Sequence, residues 1–170
     1  TVETVSGRVE QEEICVYDRA GQVVRRLEGT VDDSGAMVYR QSDYAFDERG
    51  RLVMQADPAP VAGAARAVTY LYYDKVGNLR FVRDPAGYWT EYEFDALGRM
   101  VTVVEPATVD HGAPVTRYEY TVLGELRSAV DPLDRRSEFA YDNLGREVLR
   151  RLPAVGGQVA ELRTVYDVMG

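Results

Sequence analysis

Aspartates are the residues of this chain whose type and spacing most invite chemistry. Asp18, Asp47, Asp74, Asp95, Asp142 and Asp167 each follow a tyrosine or phenylalanine, and each stands three residues before a glycine. Paired carboxylates transfer protons, and several oxygens converging in one loop hold Ca²⁺. These six are instead dealt out once per stretch of sequence, which is the spacing of a turn former. The nearest candidate for a cation loop is Asp32-Asp33-Ser34-Gly35, and it too reads as a hairpin turn. His111 is the only histidine and lies in the loop Val109-Asp110-His111-Gly112. A Ser–His–Asp triad would need a poised serine, and the chain has no Gly-x-Ser-x-Gly elbow. Cys15, the single cysteine, can form neither an internal disulfide nor a zinc site alone, and between Ile14 and Val16 it reads as an inert strand residue. The glycines are spaced by units rather than clustered before a helix, so no phosphate-binding loop is present. The sequence therefore assigns no catalytic, cofactor-binding or metal-ligating residue, and implies no cofactor.

The elements that carry these residues are read from internal repetition. The pattern aromatic-Asp-x-x-Gly-x-apolar occurs as Tyr17-Asp18-Arg19-Ala20-Gly21-Gln22-Val23, Phe46 to Leu52, Tyr73 to Leu79 and Phe94 to Met100. It weakens in Tyr120-Thr121-Val122-Leu123-Gly124-Glu125-Leu126 and returns at Tyr141 to Glu147 and Tyr166 to Gly170. Successive glycines are 21 to 29 residues apart, a period that belongs to a solenoid or related array with its length variation in loops. Each residue type has a local physical role. The Asp side chain accepts from the backbone N–H two residues on and nucleates a type I turn. The glycine then takes positive φ without a Cβ penalty, which gives a hairpin closed by a G1 bulge. The flanks alternate as strands: Tyr88, Thr90, Tyr92 and Phe94 share one face, with Trp89, Glu91 and Glu93 on the other. Prolines after the outgoing strands, as in Asp57-Pro58, Asp84-Pro85, Glu105-Pro106, Asp131-Pro132 and Leu152-Pro153, mark the return turns. The longer returns run from Asp57 to Ala67 and from Glu105 to Pro114. No long helix and no domain linker are expected, so residues 1–170 read as one array, with 1–43 less regular.

Composition sets the boundaries. At 45% hydrophobic and 28% charged, the chain is globular rather than disordered. A formal net charge of −8 repels phosphate, which excludes non-specific binding to nucleic acid or an anionic membrane. No segment approaches the ~18 apolar residues needed to span a bilayer, so direct membrane insertion is not expected. The chain reads as an excised piece of a larger protein.

The iterated motif, most clearly Tyr73 to Gly87 and Phe94 to Arg99, resembles the YD-repeat (Rhs-repeat) family of bacterial Rhs toxins, insecticidal toxin complex B and C subunits and teneurins. The resemblance implies an all-β fold of tandem antiparallel hairpins forming a curved sheet, part of a shell. It also implies a non-catalytic wall role, with the rest of the parent shell and an enclosed C-terminal toxin domain as partners. The parent would be secreted or at the cell surface. Bacterial members end the shell with an autoproteolytic Asp-Pro-x-Gly-Leu-like segment. Asp84-Pro85-Ala86-Gly87-Tyr88 is superficially similar, but Tyr88 replaces the leucine, and the segment sits in register as an ordinary return. The alternative is an adhesion module that binds a glycan or protein surface, with Tyr88, Tyr92, Phe94, Tyr118 and Tyr120 as a stacking platform. Cross-strand aromatics more often stabilise the sheet itself. About a dozen strands at ~4.8 Å make a strip roughly 60 Å long. In isolation such a strip is expected to curl or to self-associate through its edge strands.

Overall fold

The computed structural model describes residues 3–5, 8–109, 111–154 and 158–167, with side chains described from residue 11 onward. The last three residues of the seventh motif copy, 168–170, and Asp110 lie outside the described residues. Among the described residues there are fourteen strands and no helix, so none is long and apolar enough to cross a membrane. The chain divides into two compact units, Thr1–Asp74 with Phe81–Tyr88, and Lys75–Arg80 with Trp89–Gly170.

In the first unit β1 (Glu3–Val5), β2 (Arg8–Tyr17), β3 (Val23–Val31), β4 (Met37–Phe46), β5 (Leu52–Ala56) and β6 (Val68–Tyr73) follow one another as antiparallel neighbours. β7 (Leu79–Arg83) falls partly in each unit. In the second unit the same meander runs through β8 (Trp89–Phe94), β9 (Met100–Val104), β10 (Val115–Tyr120), β11 (Leu126–Val130), β12 (Arg136–Tyr141), β13 (Glu147–Arg151) and β14 (Glu161–Arg163). The all-β hairpin reading holds. The less regular stretch, 1–43, owes its appearance to strand length: β2, β3 and β4 are 9 or 10 residues long, against 5 or 6 for β5 to β13.

Apart from a shift between Glu3 and Thr4 in the β1–β2 pair, the register breaks at one recurring place among the described residues. It shifts between Val16 and Tyr17, Ala45 and Phe46, Glu93 and Phe94, Glu119 and Tyr120, and Ala140 and Tyr141. Each break falls immediately before the motif aromatic, where a G1 bulge places two residues opposite one. The long returns close where the prolines indicate, with Asp57 N–H donating to Ala67 O and Glu105 N–H to Pro114 O, both at 2.9 Å.

Little of this sheet is covered. Among the described residues only Gly29, Ala56 and Ser128 are buried. Neither unit owes its order to a conventional core, so ladders, cross-strand pairs and turn contacts must hold it. Ser128 illustrates the cover available. Its neighbours across the ladder are Glu119 on β10 and Glu138 on β12. The Ser128 hydroxyl donates to Glu119 at 2.9 Å, and Arg136 from β12 reaches over it to Glu119 at 2.7 Å. The charged side chains of two strands roof the hydroxyl between them.

Candidate functional site

The recurring site is the hairpin tip. At Asp47 the backbone N–H donates to Arg51 O and the Gly50 N–H donates back to Asp47 O, both at 2.9 Å. The same pair of bonds closes the tips at Asp18, Asp95, Thr121 and Asp142. Gly50, Gly98 and Gly145 adopt φ of 77°, 75° and 75°, so the expected left-handed turn position is present. The carboxylate divides its two oxygens between two tasks. In Asp95, Oδ1 accepts from the N–H of Leu97 at 2.9 Å and of Arg99 at 3.0 Å. Oδ2 accepts from the Arg99 guanidinium at 2.6 and 2.7 Å. Asp47–Arg51 and Asp142–Arg146 repeat this arrangement. Arg51 and Arg99 hold the carboxyls of Asp47 and Asp95 below the usual range, and at Asp142 the Arg146 N–H is the leading cause.

The motif also reaches beyond its own turn. The arginine at the sixth motif position also reaches the next tip. Arg51 lies 4.4 Å from the ring centre of Tyr73, Arg99 4.8 Å from Tyr120, and Arg146 4.3 Å from Tyr166. Those tyrosines donate their hydroxyls backward to the seventh position of the preceding copy: Tyr73 to Leu52 O at 2.9 Å, Tyr120 to Met100 O at 2.7 Å and Tyr166 to Glu147 O at 3.0 Å. Tyr141 bonds Leu126 O in the same way at 3.0 Å. The three joints with arginine are thus a charge-clamped guanidinium lying over an aromatic ring that is itself tied to the arginine's own hairpin. Burial pushes the Tyr120 and Tyr141 hydroxyls up. Where the next aromatic is Phe46, which has no hydroxyl to give, the sixth position is Gln22, and its amide crosses to Gly50 O at 2.9 Å.

The weak copy at Tyr120 to Leu126 is a reciprocal substitution rather than a decayed motif. Thr121 stands for the aspartate and Glu125 for the arginine. Thr121 Oγ1 accepts from the N–H of Leu123 and of Glu125, both at 3.2 Å, as the aspartate oxygen does elsewhere. Its hydroxyl hydrogen goes to the Glu125 carboxylate. Donor and acceptor have changed places and the link survives.

The other candidates fall into the same turn. Asp32 Oδ1 accepts from Ser34 N–H, Ser34 Oγ and Ala36 N–H at 2.6 to 3.0 Å, so its carboxylate is spent on its own loop. Asp84-Pro85-Ala86-Gly87-Tyr88 closes as a return, with Gly87 N–H on Asp84 O at 3.0 Å and Gly87 at φ 90°. Asp131 makes the corresponding turn with Asp134, at φ 56°, in the glycine's place. His111 is exposed, and its carbonyl accepts from Thr108 N–H at 3.0 Å. Cys15 is free and partly exposed, 3.6 Å from Glu13. Of the five aromatics suggested as a platform, Tyr120 is engaged in a joint beneath Arg99. Among the described residues no three His, Cys, Asp or Glu side chains come together as a metal-ligand set.

Residues 73–110 match the RHS Repeat family. This segment carries an RHS repeat. No curated protein matches it. Among solved structures, the chain is similar to TcdB2-TccC3 without its hypervariable C-terminal region (16% identity, TM-score 0.49, 80% of this chain and 9% of that one). A second is TcdB2-TccC3 (14%, 0.44, 85% and 11%). A third is the Tc holotoxin pore of Photorhabdus luminescens with a mutated TccC3 (16%, 0.42, 78% and 8%). The chain spans about a tenth of each of these proteins.

Proposed function

We propose that this RHS-repeat chain is a non-catalytic wall segment of a larger YD-repeat shell, one array over residues 1–170, whose parent is secreted or cell-surface and encloses or presents a C-terminal toxin domain. The observation that carries the reading is the joint between tips. The tips at Asp47, Asp95 and Asp142 are closed by their own aspartate and then fastened to the next copy through Arg–Tyr stacking and a backward hydroxyl bond. Such joints propagate hairpin by hairpin and suit a continuous barrier, since opening one hairpin costs contacts on both sides. The carboxylates are consumed by turns and clamps, which fits a part that confines rather than reacts.

Limited proteolysis of the full-length parent tests this reading. A C-terminal region that survives until the repeats themselves are cut is the expected result. Early loss of that region with the repeats intact would mean that nothing is enclosed, and would favour surface adhesion.

A further inference from the structure

The return between β5 and β6 does not cover the strand beside it, and the gap is furnished as a binding groove. β4 pairs with β3 along Met37 to Asp43, but β5 pairs with β4 only from Asp43 onward. The far edge of β4 before Asp43 therefore has no strand beside it. Exposure follows this boundary: Val38, Tyr39 and Arg40 are exposed, whereas Gln41 to Phe46 are half-buried. Facing the open edge is the loop Ala59–Ala62, and between them lies a groove of about 520 Å³ lined by Val38, Arg40, Gln41, Pro60, Val61 and Arg66.

Three features mark the groove as preformed. The loop is pinned by Arg66, which donates to Asp57 O at 2.8 Å, Ala56 O at 2.6 Å and Gln41 O at 2.9 Å, and pairs with the Asp43 carboxylate. Asp43 is held further by Arg25 at 2.7 Å and Gln41 at 2.7 Å. The open edge also presents backbone groups. Gln41 O points at the loop, and residues of one parity in an antiparallel strand turn N–H and C=O to the same edge, so Tyr39 turns its own toward the groove. The Tyr39 side chain is drawn off across the sheet: its ring lies over Gly29, where a Cβ would sit 2.9 Å from it, and its hydroxyl donates to Glu12 at 2.6 Å. Finally, Arg40 is exposed and its side chain has no hydrogen-bond or ion-pair partner among the described residues. Glu28 stands opposite Arg40 in the ladder but contacts Arg26 at 3.9 Å instead, so the groove offers a guanidinium held in no ion pair, on a chain of net charge −8.

We infer that this groove receives an extended acidic peptide segment, added antiparallel to β4 along Val38–Arg40, with Tyr39 supplying the main-chain groups, since Gln41 O is already held by Arg66. Strand addition takes its affinity from main-chain hydrogen bonds and its specificity from alternate side chains. Arg40 and Val38 lie on one face two residues apart, so the antiparallel occupant presents a carboxylate opposite Arg40 and an apolar side chain two residues later opposite Val38. The recognised pattern is acid-x-apolar. The site is independent of what the parent encloses.

The test uses an acetylated, amidated hexapeptide with glutamate, threonine and valine at its centre and threonines outside, titrated into the whole chain and followed by amide NMR. Weak binding, on the order of 100 µM, is expected, with the largest shift at the Tyr39 N–H. A lysine-for-glutamate peptide should bind at least about tenfold more weakly, and R40E should reverse that preference. Arg40 is exposed and unpaired, so R40E leaves the fold intact, as an otherwise unchanged amide spectrum would verify. Equal binding of both peptides, no shift at Tyr39, or shifts confined to another strand edge would overturn the assignment.

Discussion

At the tips of Asp47, Asp95 and Asp142 a single aspartate closes the turn with one oxygen and holds an arginine with the other, while a glycine three residues on supplies the left-handed backbone. The two contributions fail differently. Gly98→Val places a β-branched residue at φ 75° with only Asn78 within 4 Å of the new Cβ, so the cost is backbone strain rather than collision. A loss of about 1–3 kcal/mol in urea-induced unfolding is expected, and unchanged stability would count against the turn. The reciprocal copy makes a sharper statement. Thr121→Asp sets a carboxylate against Glu125 and should lower the melting temperature, and adding Glu125→Arg should restore it by rebuilding the ordinary clamp over Tyr141. Thermal melts of the two variants decide this, and a double variant no better than the single one would refute the reciprocal pairing.

At the scale of elements, the long returns are held to the sheet by specific side chains, and Arg66 is the fastening of the one between β5 and β6. Arg66→Ala should increase hydrogen exchange and protease cutting within 58–66 without unfolding β2 to β4. A return equally protected in the variant would mean that other contacts hold it. Much of this level was legible in the sequence. The aspartates, glycines and prolines act on backbone atoms within four residues of themselves, so a short motif carries their meaning. The joints were not legible, because the arginine at the sixth position completes its contact with a ring about 20 residues away in the next copy. Arg51, Arg99 and Arg146 recur in register, and that recurrence was the available signal. Thr121 and Glu125 looked like decay because each was compared with its own column rather than with the other. The edge of β4 escaped notice because strand length, not motif, leaves it open.

Across the molecule, a chain in which, among the described residues, only the side chains of Ala56 and Ser128 and the glycine Gly29 are buried depends on its clamps, and that dependence has a pH signature. The folded-state pKa values of Asp47, Asp95, Asp131 and Asp142 lie below the ordinary 3.8. At Asp43 burial pushes upward, but hydrogen bonds from Arg66, Arg25 and Gln41 outweigh it and bring the group to about 2. A depressed carboxylate stabilises the fold above its unfolded pKa, and that stability is lost as pH falls through the folded value. Melting temperature should therefore be flat near neutrality and fall below about pH 4, with the Asp43 share lost between 3.8 and about 2. A melting temperature unchanged down to pH 2 would contradict this. The claim on which the structural reading rests is that successive hairpins are coupled through their tips, and a double-mutant cycle at Arg99 and Tyr120 tests it most directly. Arg99→Met, Tyr120→Leu and the double variant, compared by equilibrium unfolding, should give a favourable coupling of roughly 0.5–1 kcal/mol. A coupling of zero would mean that the hairpins merely lie side by side, and the joint would lose its role.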